Sequence, residues 1–155
     1  MVRRRGSALE RVLLSLAPTL AEWQRFKQAI DDFCRNRQWN EPLMLDLQLV
    51  CEEWFLNIVK HGYRVDRPDA LAGYPPIEVA MWMEGQDELN IRFVDAAPPF
   101  DPVAYEAPNL ALSAEERQIG GLGIYLIKQK MDNCEYRRID GRNELILRKN
   151  ITQAI

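Results

Sequence analysis

The sequence predicts an α+β fold in which helices pack on one face of a largely antiparallel, mixed sheet. Apolar residues recur at three- and four-residue spacing in three segments, and apolar and polar residues alternate in five shorter ones. The order of these segments is β-α-α-β-β-loop-α-β-β, and short turns join two pairs of neighbouring strands. With 155 residues, of which 47% are hydrophobic, we expect a single domain over residues 1–155.

A strand and a helix are predicted at the start of the chain. Residues 9–16 form a strand pattern that places Val12, Leu14 and Leu16 on one face. The segment Thr19–Glu22 has the pattern of a capping box, in which the first and last side chains satisfy backbone N–H groups at a helix start. Apolar residues at helical spacing continue this helix to about Arg35.

A second helix, between Asn40 and Gly62, carries an unusual polar strip. At about 100° per residue, Glu53, Asn57 and His61 lie on one side of the helix. Apolar residues flank the strip on both sides: Leu43, Leu47, Val50, Trp54 and Ile58 on one flank, and Leu45, Leu49 and Leu56 on the other. A carboxylate and an amide in a partly apolar cleft suit a hard cation or a positioned nucleophile. A core helix with a few solvated polar residues shows the same pattern.

Two hairpins and a long irregular segment are predicted in the second half. The four strands are 77–83, 89–94, 133–139 and 144–148. Turns at 85–87 and 140–143 join them in pairs. Between the hairpins, residues 95–121 contain four prolines and show no continuous periodicity. An irregular segment of this length inside a domain is typical of a functional lid loop.

Two further features indicate a ligand. Gly120-Gly121-Leu122-Gly123 leads into a helix, where glycines allow an anion to approach free backbone N–H groups. Asp95 ends an apolar strand beside small residues, so its carboxylate can accept a hydrogen bond from an amino group on a flat ligand. Taken singly, a tight turn and a turn-opening aspartate explain the two features as well.

Together, in this order, the motifs resemble the nucleotide-binding domain of the GHKL ATPase superfamily, whose Bergerat fold is a two-layer sandwich. The resemblance is strongest to bacterial anti-sigma factor serine/threonine kinases of partner-switching systems. It covers nearly the whole chain, from the first strand to the last. The residues that carry it are Glu53-Asn57-His61-Gly62-Tyr63 as the N box, Asp95 with Pro98–Pro102 as the first glycine box, and Gly120–Ile127 with Met131-Asp132 as the second.

The resemblance implies a role for each matching residue. Asn57 would hold the Mg²⁺ that bridges the phosphates of ATP. Glu53 would be the catalytic general base that acts on the hydroxyl of a substrate serine. Asp95 would accept from the amino group of adenine, and Gly121 and Gly123 would contact the phosphates. His61 would shape the end of the helix rather than react.

The lid and one departure from the family pattern follow from the same resemblance. Residues 103–120 would form the ATP lid, with Arg117 reaching the terminal phosphate. Where the first glycine box usually reads Asp-x-Gly, this chain has Ala97 as part of the cofactor site. A methyl group crowds the adenine or stiffens the loop if the backbone needs a positive φ. Alanine is the smallest replacement, so we expect ATP binding to survive, although weakened.

The function implied is that of an ATP- and Mg²⁺-dependent protein serine kinase. It would phosphorylate a STAS-domain anti-sigma antagonist and, in another state, sequester a sigma factor or an analogous target. Two alternatives remain: a module that sequesters a partner without phosphotransfer, and a fold relative in another signalling assembly. The resemblance also suggests a homodimer. A phospho-accepting histidine and a dimerising helical hairpin are absent, so we do not expect a full sensor histidine kinase.

Composition bounds the class of protein. The formal net charge is −3, which gives no indication of direct nucleic-acid or membrane binding. The three cysteines form no CxxC pair, so neither a zinc site nor a disulfide framework is expected. No apolar run approaches about 18 residues, and the start of the chain lacks the apolar segment of a signal peptide. We therefore expect a cytoplasmic protein.

Overall fold

The computed structural model describes residues 11–64, 73–104 and 121–152. These residues contain five strands and three α-helices, which are β1 Val12–Leu16, α1 Trp23–Asn36, α2 Glu41–Leu56, β2 Ile77–Glu84, β3 Glu88–Asp95, α3 Gly121–Lys130, β4 Asn133–Ile139 and β5 Arg142–Asn150. A 3₁₀ turn, Leu20–Glu22, precedes α1, and a π-helical turn, Asn57–Gly62, extends α2. None of the described helices combines the length and apolar content that crossing a membrane requires.

The five strands form one sheet in the order β1-β2-β3-β5-β4. All four pairings in the described sheet are antiparallel, which confirms the prediction of a largely antiparallel sheet, although a mixed one with some parallel pairing was expected. The reason is that the β4–β5 hairpin places β5, rather than β4, beside β3. Asp95, the last residue of β3, therefore lies opposite Asn143 near the start of β5.

The core lies between one face of this sheet and the helices. Phe26 of α1 makes edge-on contacts with Phe55 of α2, at 6.0 Å between ring centroids, and with Phe93 of β3, at 5.8 Å. Ile124 and Ile127 of α3 belong to the same buried cluster. The predicted arrangement of helices on one face of the sheet is thus confirmed.

Helix α2 begins as predicted, with the Asn40 Oδ1 atom accepting a hydrogen bond from the Leu43 backbone N–H at 3.0 Å. One apolar flank of its polar strip is buried along its whole length: Leu43, Leu47, Val50, Trp54 and Ile58. On the other flank, Leu45 is 52% exposed. The polar strip therefore lies at the boundary between the core and the surface.

The predicted capping box before α1 was wrong. The Thr19 side chain makes no capping hydrogen bond. The Glu22 carboxylate instead accepts from the Ala17 backbone N–H at 2.9 Å and pairs with Arg25 at 2.9 Å. The 3₁₀ turn Leu20–Glu22 connects β1 to α1, so the α-helix starts only at Trp23.

The second hairpin turn is shorter than predicted. It consists of Asp140 and Gly141, whose φ angles are 51° and 77°. Two successive positive φ angles define the type I′ geometry that matches the twist of an antiparallel hairpin. Strand β5 consequently begins at Arg142, and Asn143 belongs to the sheet rather than to the turn.

Candidate functional site

A cavity of about 420 Å³ opens between the end of α2, the loop after β3 and the start of β5. Its wall includes three predicted site residues, Asn57, Asp95 and Ala97, together with Tyr63 and Asn143. Its volume lies within the range of small-molecule sites. The structure therefore brings the N box and the first glycine box to one place, as the resemblance implied.

Asp95 is buried at the wall of this cavity, with 2% of its surface exposed. Its Oδ1 atom accepts hydrogen bonds from the Ala97 backbone N–H at 2.9 Å and from Asn143 Nδ2 at 3.0 Å. Burial raises the pKa of the Asp95 carboxyl, and these two donors oppose the rise. No described residue donates to Oδ2, so one carboxylate oxygen remains available to a ligand.

Ala97 fits its position without backbone strain. It does not belong to the described residues with positive φ, which are Gln38, Arg64 and Asp140 outside glycine. Its methyl group is buried and faces Gly62. Alanine would stiffen the loop only if the backbone at this position needed a positive φ. The backbone of Ala97 does not have one.

Asn143 anchors the loop that follows β3. Its Nδ2 atom donates to Asp95 Oδ1, to the Ala97 carbonyl at 3.1 Å and to the Pro98 carbonyl at 3.1 Å. The sequence analysis missed this residue because it assigned residues 140–143 to the turn. A polar residue two positions after the Asp-Gly pair was the one available signal.

Two further side chains hold the same loop from opposite sides. Arg138 of β4 donates from an NH1 group to the Ala97 carbonyl at 2.8 Å. The Tyr63 hydroxyl accepts from the Ala96 backbone N–H at 2.7 Å. The loop beside Asp95 is thus fixed by Tyr63, which follows the π-helical turn, and by the β4–β5 hairpin. This is the preorganisation that a specific binding site needs.

Aromatic rings form flat walls around the cavity. Tyr63 and Tyr74 are stacked, with ring centroids 4.1 Å apart and planes 14° apart. Trp54 and Phe100 lie 6.5 Å apart at a tilt of 32°. Such surfaces suit a planar base, because a stacked ring loses water from both faces.

Asn57 is the first residue of the π-helical turn and lines the cavity. Single π turns inside helices are frequent at functional sites. No described residue hydrogen-bonds its side-chain amide, so its oxygen is available to a cation. The described residues hold no group of three or more His, Cys, Asp or Glu side chains that suits a metal ion. Mg²⁺ fits this arrangement only if phosphate oxygens complete its coordination, which is its usual mode in nucleotide sites.

Glu53 lies one helical turn before Asn57 and is half-buried. Its carboxylate makes no hydrogen bond or ion pair with a described residue. Burial raises the pKa of this carboxyl, Glu52 raises it further, and Lys60 lowers it. A general base works best when its pKa approaches the working pH, so this environment suits the predicted role.

The two glycines predicted to contact phosphates begin helix α3, with Gly121 as its first residue. Gly123 packs against α2: a Cβ atom added there would lie 2.5 Å from Glu53 Oε2. The space that this glycine leaves is thus filled by the predicted base. Arg117 and residues 105–120 of the predicted lid lie outside the described residues.

The family follows from comparison of the sequence. A family model described as the histidine kinase-like ATPase domain matches residues 16–149. The chain therefore belongs to the histidine kinase-like ATPase domain family, which confirms the predicted superfamily. The N box and the first glycine box both lie inside the matched segment.

One similar protein is a protein kinase, and two solved structures are similar in fold. The serine/threonine-protein kinase BtrW of Bordetella bronchiseptica is 30% identical over 110 residues, which are 71% of this chain and 72% of that protein. The structure of the RsbU and RsbW domains of Rv1364c from Mycobacterium tuberculosis has a TM-score of 0.60 and 14% identity, over 90% of this chain and 32% of that one. SiaB–SiaC from Pseudomonas aeruginosa has a TM-score of 0.58 and 17% identity, over 90% and 89%. The chain spans about a third of the Rv1364c chain, and the two structures confirm the fold.

Proposed function

We propose that this chain is an ATP-dependent, Mg²⁺-requiring protein serine/threonine kinase. The observation that carries the proposal is that Asp95 and Asn57 line one cavity and that Glu53 lies one helical turn from Asn57. Asp95 offers a buried acceptor, and Asn57 offers an amide that no described residue hydrogen-bonds. The Glu53 carboxylate pairs with none of the described residues, and burial raises its pKa. This combination supplies a base-binding group, a metal-binding group and a proton acceptor within one site.

The chemistry assigned to these residues is direct phosphoryl transfer. A serine hydroxyl of the substrate attacks the terminal phosphorus of ATP; the new O–P bond forms as the bond to ADP breaks. Glu53 accepts the hydroxyl proton. Mg²⁺ held at Asn57 would neutralise charge on the phosphates, which is the main catalytic requirement of this reaction class.

The protein substrate that we propose is a STAS-domain anti-sigma antagonist. In this proposal the chain also sequesters a sigma factor or an analogous target in the cytoplasm, and it acts as a homodimer. The similarity to a named serine/threonine-protein kinase and to an RsbW domain supports this assignment. SiaB, which is present in its structure together with SiaC, supports a protein partner.

Calorimetric titration with ATP, with and without Mg²⁺, tests the proposal first. We expect Mg²⁺-dependent binding, followed by transfer of labelled phosphate to a serine of a purified STAS-domain protein. No binding at millimolar ATP would refute the kinase. Binding of ATP and of the partner without phosphate transfer would establish the alternative, a sequestering module.

A further inference from the structure

The side-chain amide of Asn143 has one possible orientation. The residue is 5% exposed, and its Oδ1 atom accepts from the Tyr136 hydroxyl at 2.5 Å and from Arg138 NH1 at 3.0 Å. The Arg138 guanidinium can only donate, and the groups on the other side, the Asp95 carboxylate and the carbonyls of Ala97 and Pro98, can only accept, so the amide oxygen must face Arg138. Its NH₂ group must therefore face Asp95 and the loop after β3.

This orientation determines which groups at that end of the cavity are free. Asn143 occupies Asp95 Oδ1 and the carbonyls of Ala97 and Pro98. Asp95 Oδ2 is then the acceptor that no described residue uses. Adenine presents an amino group where guanine presents a carbonyl oxygen, so a fixed acceptor attracts the first base and repels the second. Sites built around a buried polar group discriminate strongly against a ligand that cannot pair with it.

We propose that Asn143 is a positioning residue of the nucleobase site: it orients Asp95 so that Oδ2 accepts from the amino group of adenine, and it thereby sets the preference for adenine over guanine nucleotides. This inference rests on the proposed function. Asn143 itself acts through Asp95, from which it is separated by 48 positions in the sequence.

The first test is titration of the parent protein and of Asn143→Ala with MgATP and MgGTP. Without the amide, Asp95 Oδ1 keeps only the Ala97 backbone N–H as a donor, and the loop loses the hydrogen bonds from Asn143 to the carbonyls of Ala97 and Pro98, so the carboxylate is held less firmly. We expect ATP affinity to fall by about 10-fold or more, the usual effect of losing a hydrogen bond to a charged group. The ratio of ATP to GTP affinity should fall with it, because GTP gains nothing from an oriented acceptor.

A second variant, Asn143→Asp, adds a readout that a purely structural role would not affect. Among the described residues, the charged and titratable groups facing Asp95 are Arg138 and Arg142 of the hairpin and Tyr63, which follows the π-helical turn. A new carboxylate among them raises the pKa of Asp95 further, so the decline of ATP binding in acid should begin at a higher pH. The phosphates of ATP titrate equally in both proteins, so the difference between the two profiles reports the coupled carboxyl pair formed by Asp95 and the new aspartate.

Asn90→Asp is the matched control. Asn90 is 1% exposed and lies in the adjacent strand β3. Its side-chain oxygen accepts a hydrogen bond from Arg148 Nε on the other face of the sheet. The same atomic change there should leave the nucleotide preference and the pH profile at parent values. Thermal unfolding identifies which variants fold, and Asn143→Ser replaces any that does not.

The outcomes separate the two proposals. A parent protein that binds neither nucleotide refutes the proposed function. A parent that prefers ATP, beside folded Asn143 variants with the same preference and the same pH profile, overturns the inference alone. Loss of the preference in Asn143 variants, with Asn90→Asp unchanged, supports it.

Discussion

Gly62 and Ala97 pack so closely that a second methyl group has no room between them: a Cβ atom on Gly62 would lie 2.8 Å from the Ala97 Cβ. One residue ends the π-helical turn and the other lies in the loop after Asp95. Ala97 takes the position where the resemblance led us to expect glycine, and its methyl group fits because Gly62 opposite it has none. The two positions should therefore tolerate one methyl group in total.

The first prediction follows from this contact. Gly62→Ala should lower the free energy of unfolding by about 1–3 kcal/mol, the usual cost of overpacking. The double variant Gly62→Ala with Ala97→Gly should recover most of the lost stability, because it removes the methyl group that the new Cβ meets. Alanine is tolerated at position 62 because the backbone there does not have a positive φ. Urea unfolding of both single variants and the double variant measures the coupling. A double variant as unstable as Gly62→Ala would contradict the explanation.

The second prediction concerns Gly123. Gly123→Ala should push the Glu53 carboxylate aside, because the new Cβ would approach Oε2 to 2.5 Å. We expect the rate of phosphate transfer to fall by about 10-fold or more. This is less than the full contribution of a general base, because a displaced carboxylate still acts in part. The fold should persist, since alanine favours a helix over glycine by about 1 kcal/mol. Leu122→Ala, at the exposed neighbouring position, is the control and should transfer phosphate normally.

The third prediction concerns Glu53 itself. Glu53→Gln should retain ATP affinity and lose phosphate transfer by about 10²- to 10⁴-fold, the typical contribution of a general base. In the parent, transfer should decline as the pH falls through the raised pKa of Glu53, since the protonated form cannot accept a proton. Single-turnover assays across pH measure both effects. Full transfer by Glu53→Gln would remove the base assignment.

Stability provides an independent check on the same residue. Because burial raises the pKa of Glu53 in the folded protein, folding disfavours its ionised form. Glu53→Gln should therefore be more stable than the parent above the raised pKa. The difference should disappear in acid, below the pKa of the unfolded chain, where the parent carboxyl is protonated in both states. Thermal unfolding at several pH values measures this difference.

The fourth prediction concerns the metal. Asn57→Ala should remove the Mg²⁺-dependent part of ATP binding, because it deletes the side-chain oxygen of the N box that lines the cavity. The weaker ATP binding that we expect without Mg²⁺ should be the same in the variant and in the parent protein. Calorimetric titration in the presence and absence of Mg²⁺ gives both values. Equal MgATP affinity in the two proteins would show that Asn57 does not hold the Mg²⁺ ion.

The fifth prediction concerns Glu144 on the open face of the sheet. Burial by itself would raise its pKa, but hydrogen bonds from Arg92 and Arg137 outweigh this and lower it. Its stabilising contribution is therefore complete above the unfolded pKa and is lost as the pH falls through the lower folded value. Glu144→Gln should cost about 1–3 kcal/mol at neutral pH and much less in acid. A cost independent of pH would show that the carboxylate charge is not responsible.

The predicted elements were largely correct because each carries a local signal. Leu89–Val94 alternates in polarity and has glycine in the turn before it, and the structure extends this strand by only one residue at each end. The cap at Asn40 is equally local. The assignment of residues 1–155 to one domain stays a prediction.

What the sequence could not predict depends on contacts between distant elements. The role of Asn143 depends on a hairpin turn two residues shorter than expected, and alternation places Asn143 on the core face of β5. The Glu53–Gly123 contact joins two helices 70 positions apart, and no periodicity within either helix reveals it. The capping box failed for a related reason, because the 3₁₀ turn before α1 offered Glu22 a nearer backbone partner.

The position of β5 beside β3 also orders events during synthesis. Asp95 leaves the ribosome well before Asn143, which has to pair across the sheet before the loop after β3 is held. Domains fold as their segments emerge, and a site that needs a late strand cannot form earlier. We therefore expect nascent chains that end before Asn143 to lack a formed base-binding pocket, so that nucleotide binding reports that the second hairpin is in place.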